Sequence, residues 1–150
     1  MKNDKTDNHE QLFWEEIDRL FPDMIKAIAS LSKKSYLSIT NLRTGITWWS
    51  ERAMDYFGMK ENYTIRGMEK ANRKIHPDDV ATFKRGFKER VDGKNLDTAW
   101  EYRIQDGDSY NRFNAMARVL YDEQKQPFII IIRYDNYGIS DEVDSVTGLY

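Results

Sequence analysis

Two acidic pairs, Asp78-Asp79 and Asp141-Glu142, have the residue types and spacing for acid–base chemistry in this 150-residue chain. Both have a plainer explanation. Asp78 and Asp79 fall where a helix begins, and carboxylates in a first turn complement the helix dipole. Asp141-Glu142 sits in a polar connector. His76 could be offered as a haem ligand, yet His76-Pro77-Asp78-Asp79 reads as an ordinary loop-to-helix junction. Cysteine is absent and histidine occurs twice. Disulfides, thiol nucleophiles, cysteine metal sites and cysteinyl adducts are thereby removed, and no metal-ligating set remains. The residues point to a non-catalytic chain.

Four tryptophans, nine tyrosines and seven phenylalanines suggest base stacking, but the formal net charge is −2, with charges spread along the chain. Without a basic groove these aromatics are core and interface mass rather than a nucleic-acid surface. No apolar run approaches the ~20 residues that span a bilayer. Met1-Lys2-Asn3-Asp4-Lys5 opens onto polar residues rather than a signal peptide. The expected setting is cytoplasmic, with no membrane segment and no nucleic-acid partner.

The elements that must position these groups follow from periodicity. Residues 1–8 are polar and expected to fray. From His9 to Ser32, apolar residues (Phe13, Ile17, Leu20, Met24 and Ile28 among them) recur at spacings of three and four. Pro22 divides the run into two helices, 9–20 and 22–32. They read as a cap on the domain and as dimer helices. Ser35–Asn41 and Ile46–Ser50 form a hairpin around Arg43-Thr44-Gly45. Ser50 caps a short helix that Gly58 ends. Residues 65–71 carry weak helical signals, and a clearer helix starts at His76-Pro77 with Val80, Phe83, Phe87 and Val91 on one face.

Three strands follow: Leu96–Ile104, Tyr110–Tyr121 and Pro127 onward. In the second, Phe113, Ala115, Ala117, Val119 and Tyr121 are expected to share a face. Phe128-Ile129-Ile130-Ile131-Ile132 has no alternation, so both of its faces must be buried. The N-terminal helices are the apolar surface left to cover the second face. The expected class is α+β, with five antiparallel strands, short helices on one face and the N-terminal amphipathic helices on the other.

Several stretches, in order, resemble a PAS domain. Ile46–Met59 is similar to that family's second strand and following helix, His76-Pro77-Asp78-Asp79 to its helix start, and Glu101-Tyr102-Arg103 to the start of its third strand. Asp106-Gly107, Tyr110 and Asp122-Glu123 match its hairpins. The resemblance spans roughly 34–137. It makes 1–33 a helical extension and 138–150 a connector leading into a further domain. Asp144-Ser145-Val146-Thr147-Gly148-Leu149-Tyr150 resembles the opening of GGDEF domains, the catalytic domains of diguanylate cyclases.

Together the two resemblances imply a sensory or regulatory module relaying a conformational change to a covalently linked GGDEF output. They also imply a homodimer, because joining two GTP molecules needs two facing catalytic domains. A ligand-free dimerisation scaffold is the alternative. The family binds small molecules between sheet and helices, where Trp49, Phe57, Phe83, Phe87, Trp100, Tyr102, Phe113, Ala115, Ala117 and Ile130 are the candidate lining. Its closing Asp-Ile-Thr, which couples domain to output, appears as Asp135-Asn136-Tyr137, so Asp135 and Asn136 are the signal-coupling candidates. Arg112 stands where this variety usually has tryptophan. Some relatives hold haem or flavin; no cofactor is expected here, and a non-covalently bound flavin stays open although no motif supports it.

Overall fold

A computed structural model describes residues 4–20, 27, 28, 30 and 35–140. Helix α1 spans Asp4–Leu20 and starts well before the expected position at His9. The polar stretch carries no helix breaker, and the apolar face that follows propagates it backwards. Of the expected second helix, residues 27, 28 and 30 are helical, and Met24 lies outside the described residues. Strands β1 (Tyr36–Asn41) and β2 (Ile46–Trp49) form the expected hairpin, with Ser38 opposite Trp49. Helix α2 (Glu51–Phe57) is capped by Ser50, whose side chain accepts from the Ala53 N–H at 3.3 Å. It ends on Gly58 at φ +71°, a conformation glycine adopts without a Cβ clash.

A short strand β3 (Tyr63–Ile65) and helix α3 (Gly67–Asn72) follow. A 3-10 turn (Pro77–Asp79) leads into α4 (Val80–Val91), then come β4 (Trp100–Asp106), β5 (Ser109–Tyr121) and β6 (Pro127–Ser140).

Among the described residues the sheet therefore has six antiparallel strands in the order β3-β2-β1-β6-β5-β4, not five. The additional one is β3, in a stretch with only weak helical signals. Tyr63-Thr64-Ile65 is aromatic and β-branched, suits a pleated surface, and pairs with Ile46–Trp48. Strand β6 runs on to Ser140, into the stretch read as connector, and a register shift against β5 falls between Asn111 and Phe113. Tyr121 is exposed at the end of β5, its hydroxyl beside Gly93 on the helix side of the sheet, and a second shift, between Leu120 and Tyr121, puts the extra residue in β6.

Two apolar clusters flank the sheet, as the isoleucine run requires. Ile130, Ile132 and Tyr134 of β6 join the inner cluster under α2, α3 and α4. Ile129 joins the outer cluster with Leu37, Ile39, Ile46, Trp48 and Phe128, which Phe13 and Ile17 of α1 cover. Both α1 side chains are fully buried, so the helix caps its own sheet as expected. Any role for Phe13 or Ile17 in a dimer requires α1 to leave that position. Ile28 is half-buried against the same cluster.

The far edge, β4, is closed by main-chain bonds from the segment before the 3-10 turn. The His76 N–H donates to the Arg103 carbonyl at 2.9 Å, and the Gln105 N–H donates to the Lys74 carbonyl at 2.7 Å.

Candidate functional site

The ten candidate lining residues converge. Nine belong to the buried inner cluster, while Phe87 is half-buried and packs against it. Phe87 sits instead at the rim, with Leu42, Val91 and Pro127 along a surface groove. Inside, rings fill much of the space between sheet and helices. Phe83 meets Tyr102 edge-on at 4.9 Å, Trp49 packs on Phe57 at 5.2 Å, and Phe57 meets Tyr134 at 5.7 Å. Ala115 lies opposite Trp100 across the ladder, so the small residue makes room for the indole.

Two helices approach this layer through glycine. A Cβ at Gly86 would lie 2.8 Å from Trp100 Cδ1, and one at Gly67 would lie 2.7 Å from Thr47 Cβ. One turn on, the buried Arg90 guanidinium stacks over the Trp100 ring at 4.0 Å and donates to the Gly86 carbonyl at 3.2 Å. Burial holds the Arg90 pKa below its ordinary value.

The polar chemistry of the interior is donor-rich. Trp49 Nε1, Trp100 Nε1 and the Tyr102 hydroxyl are buried with no hydrogen-bond partner among the described residues. Burial pushes the Tyr102 phenol well above its ordinary pKa, so it is a neutral O–H at physiological pH. A buried donor without an acceptor costs about 1–3 kcal/mol. The two indole N–H groups lie close against Gly67 and Gly86, at 3.1 and 2.9 Å from where a Cβ would stand, so the Tyr102 hydroxyl is the one of the three that a guest's acceptor oxygen or ring nitrogen would pair with.

Tyr134 joins this interior to the outgoing strand. Its hydroxyl is 3.1 Å from Ser38 Oγ, and burial raises its pKa too. Its chain neighbours are the coupling candidates. Arg133 pairs with Asp135 at 3.2 Å on the other side of the strand, and Asn136 Oδ1 accepts from the Gly138 N–H at 2.8 Å. Asp135 and Asn136 line a cleft of about 490 Å³ with Ser35, Tyr36, Arg52 and Tyr134. The Tyr36 ring forms one wall and reaches inward to Phe113 and Tyr56, each at 5.7 Å. Tyr56 donates to the Ile104 carbonyl and accepts from Asn111 Nδ2 at 2.9 Å, and burial pushes its pKa up to about 12. Sequence reasoning missed Tyr134, although it continues the inward alternation of Ile130 and Ile132.

The acidic pairs and His76 fall elsewhere. Asp78 is exposed, and Asp79 is engaged with Arg103. His76 caps the 3-10 turn, its Nδ1 accepting from the Asp78 N–H at 3.1 Å, and its ring lies 4.6 Å from Tyr110. Asp141-Glu142 lies outside the described residues. No group of three or more ligating side chains that could hold a metal ion occurs among the described residues. No helix among them is long and apolar enough to cross a membrane.

A family profile described as PAS fold matches residues 46–132. No curated protein matches the sequence. Among solved structures, a sensory box histidine kinase/response regulator from Burkholderia thailandensis E264 superposes with a TM-score of 0.60 at 16% identity, covering 82% of this chain and 90% of that one. The N-terminal domain of a diguanylate cyclase with PAS/PAC sensor from Marinobacter aquaeolei gives 0.56 at 14% identity, covering 70% and 96%. A light-oxygen-voltage domain studied with a flavin analogue gives 0.50 at 12% identity, covering 83% and 92%. At such identities the likeness is one of fold.

Proposed function

The chain belongs to the PAS fold family, and on that premise we propose that it is a non-catalytic sensory domain that answers a small molecule in its inner core and passes the change along β6. The observation that carries this reading is the position of Tyr134, whose ring faces the core while its neighbour Asp135 faces the opposite side. A guest that shifts the Phe57, Tyr102 and Tyr134 layer would bias the strand leading toward residues 141–150. In energetic terms it would bind one packing of the layer better than another and shift the population between them.

The output reading rests on Asp144–Tyr150 and its resemblance to the start of a GGDEF domain, in keeping with the diguanylate cyclase named for the Marinobacter structure. The parent would then be a diguanylate cyclase regulated as a cytoplasmic homodimer. His76, the histidine weighed as a haem ligand, caps the 3-10 turn, and a flavin photoadduct would need a cysteine that the sequence lacks. The guest expected here is a small molecule with acceptor atoms, a non-covalently held flavin among them, rather than haem or a cysteinyl flavin adduct.

A thermal-shift screen against small metabolites tests the sensing half. A ligand at 100 times its dissociation constant adds about 2.7 kcal/mol of stability. A flat response across a broad library favours the second reading, a ligand-free dimerisation scaffold, to which the dense packing of the inner rings lends support. The reading frame beyond Tyr150 tests the output. Asn-Arg followed downstream by Gly-Gly-Asp/Glu-Glu-Phe supports it, and a stop codon there overturns it.

A further inference from the structure

We propose that Arg43 is an electrostatic catch that holds α1 over the outer face of the sheet and can release it. Helix α1 spans 17 residues, close to the length at which an isolated helix is marginal in water, so its persistence depends on docking. The docking has an apolar part and a polar part. Phe13 and Ile17 fill the outer cluster, with the Phe13 and Trp14 rings edge-on to Tyr63 at 5.5 and 5.9 Å.

The polar part runs through Glu16. Its Oε1 accepts from the buried Asn41 Nδ2 at 3.1 Å, and its Oε2 lies 3.9 Å from Arg43 Nη1 across the interface and 3.5 Å from Arg19 Nη2 of the same helix. The other Arg43 terminal nitrogen pairs with Asp122 in the β5–β6 turn, and the guanidinium lies over the Phe128 ring at 4.3 Å. One cation thus ties α1, the β1–β2 turn and the β5–β6 turn together. The turn that carries it is shaped by Asn41 Oδ1, which accepts from the Arg43 and Thr44 N–H groups at 2.9 and 3.2 Å.

Two features make this a catch rather than a fixed joint. The Arg43 side chain is 40% exposed and that of Glu16 29%, so salt and competing anions reach the pair. A small cleft of about 170 Å³ lined by Arg19, Arg43, Asp122, Glu123 and Gln124 opens to the same guanidinium. Beneath α1 the sheet is apolar, with Leu37, Ile39, Trp48, Phe128 and Ile129 in one cluster. Release would therefore expose a contiguous sticky face, a signal distinct from any change in the inner core. The inference is independent of whether the inner core takes a ligand.

Hydrogen exchange on the whole chain tests it, comparing wild type with Arg43→Gln and Glu16→Gln, and wild type at ~0.1 M and ~1 M sodium chloride, where the screening length falls from ~10 to ~3 Å. The expected result is exchange of α1 amides (residues 8–19) accelerated about two- to fivefold in each case, the effect of losing a partly exposed ion pair. Amides of β4 and β5 should be unchanged, and binding of a hydrophobic dye should rise. Asp92→Asn, which breaks the exposed Lys88–Asp92 pair, should leave α1 as it is. Unchanged α1 exchange in the variants, equal acceleration everywhere, or insensitivity to salt would each overturn the proposal.

Discussion

Arg103 grips Asp79 three times over. Its Nε donates to Oδ2 at 2.7 Å, its Nη2 to Oδ1 at 2.8 Å, and its backbone N–H to Oδ2 at 2.9 Å. The contact binds the start of α4 to the edge of β4, so the carboxylate read from sequence as a dipole partner is a cross-link between helix and strand. The Arg103 hydrogen bond holds the Asp79 pKa below its ordinary carboxylate value, and the same bond raises that of Arg103. Asp79→Asn removes the charge from the bond and should cost about 1.5 kcal/mol, the lower end for a charged hydrogen bond because both groups are partly solvated. Urea unfolding should show a lower midpoint at unchanged slope.

The sign of the pH dependence follows from the same depressed value. The contribution is fully present above the unfolded Asp79 pKa, near 3.8. It is lost as pH falls through the lower folded value. Wild-type stability measured from pH 5 downward should therefore fall more steeply than that of Asp79→Asn. Parallel curves would show that the carboxylate contributes nothing specific.

Gly86→Ala tests how tightly α4 lies on the sheet. The added methyl meets the Trp100 ring at 2.8 Å, and overpacking of this kind costs about 1–3 kcal/mol. The gain in helix propensity from Gly to Ala, about 1 kcal/mol, offsets part of it. Truncating the indole should recover the difference, so Gly86→Ala with Trp100→Leu should be less destabilised than the sum of the two single changes.

Tyr102→Phe removes a buried hydroxyl that has no partner among the described residues. Without ligand the change should be neutral or stabilising, by up to about 1 kcal/mol. If a metabolite is found, the same variant should lose much of the thermal shift it produces. A clear destabilisation of the unliganded protein would mean that the hydroxyl is satisfied by water inside the core.

Tyr134→Phe breaks the bond to Ser38 Oγ. The expected loss is about 1 kcal/mol, with faster hydrogen exchange along residues 135–140 of β6. Faster exchange there, over and above any change in β1 where Ser38 lies, is the signature of a link between core and outgoing strand.

What could be read from sequence was what is encoded locally. The β1–β2 hairpin, the Ser50 cap and the Gly58 stop each depend on a few adjacent residues, and each is where the pattern puts it. The cover over the second face of β6 also followed, because five consecutive apolar residues cannot leave one face in water. Strand β3 was not legible, since three residues between helical signals become a strand only by pairing with β2. The grip of Asp79 on Arg103 joins residues 24 apart that belong to separate motifs, and neither motif names the other. The lining residues were placed together by resemblance, but the filling of their space by rings depends on side-chain angles that spacing does not carry. Phe87 shared the α4 face with Phe83 in the pattern, yet it stands at the rim, half-buried.

The closed rim of β4 bears on how such a domain behaves in crowded company. The Arg103 carbonyl, the Arg103 N–H and the Gln105 N–H are all occupied by groups of the same chain, and the opposite rim, β3, is three residues long. A sheet finished in this way offers neighbouring copies little template for strand-by-strand growth. Copies tethered side by side at high local concentration can then meet through helices and side chains without fusing into a continuous fibre.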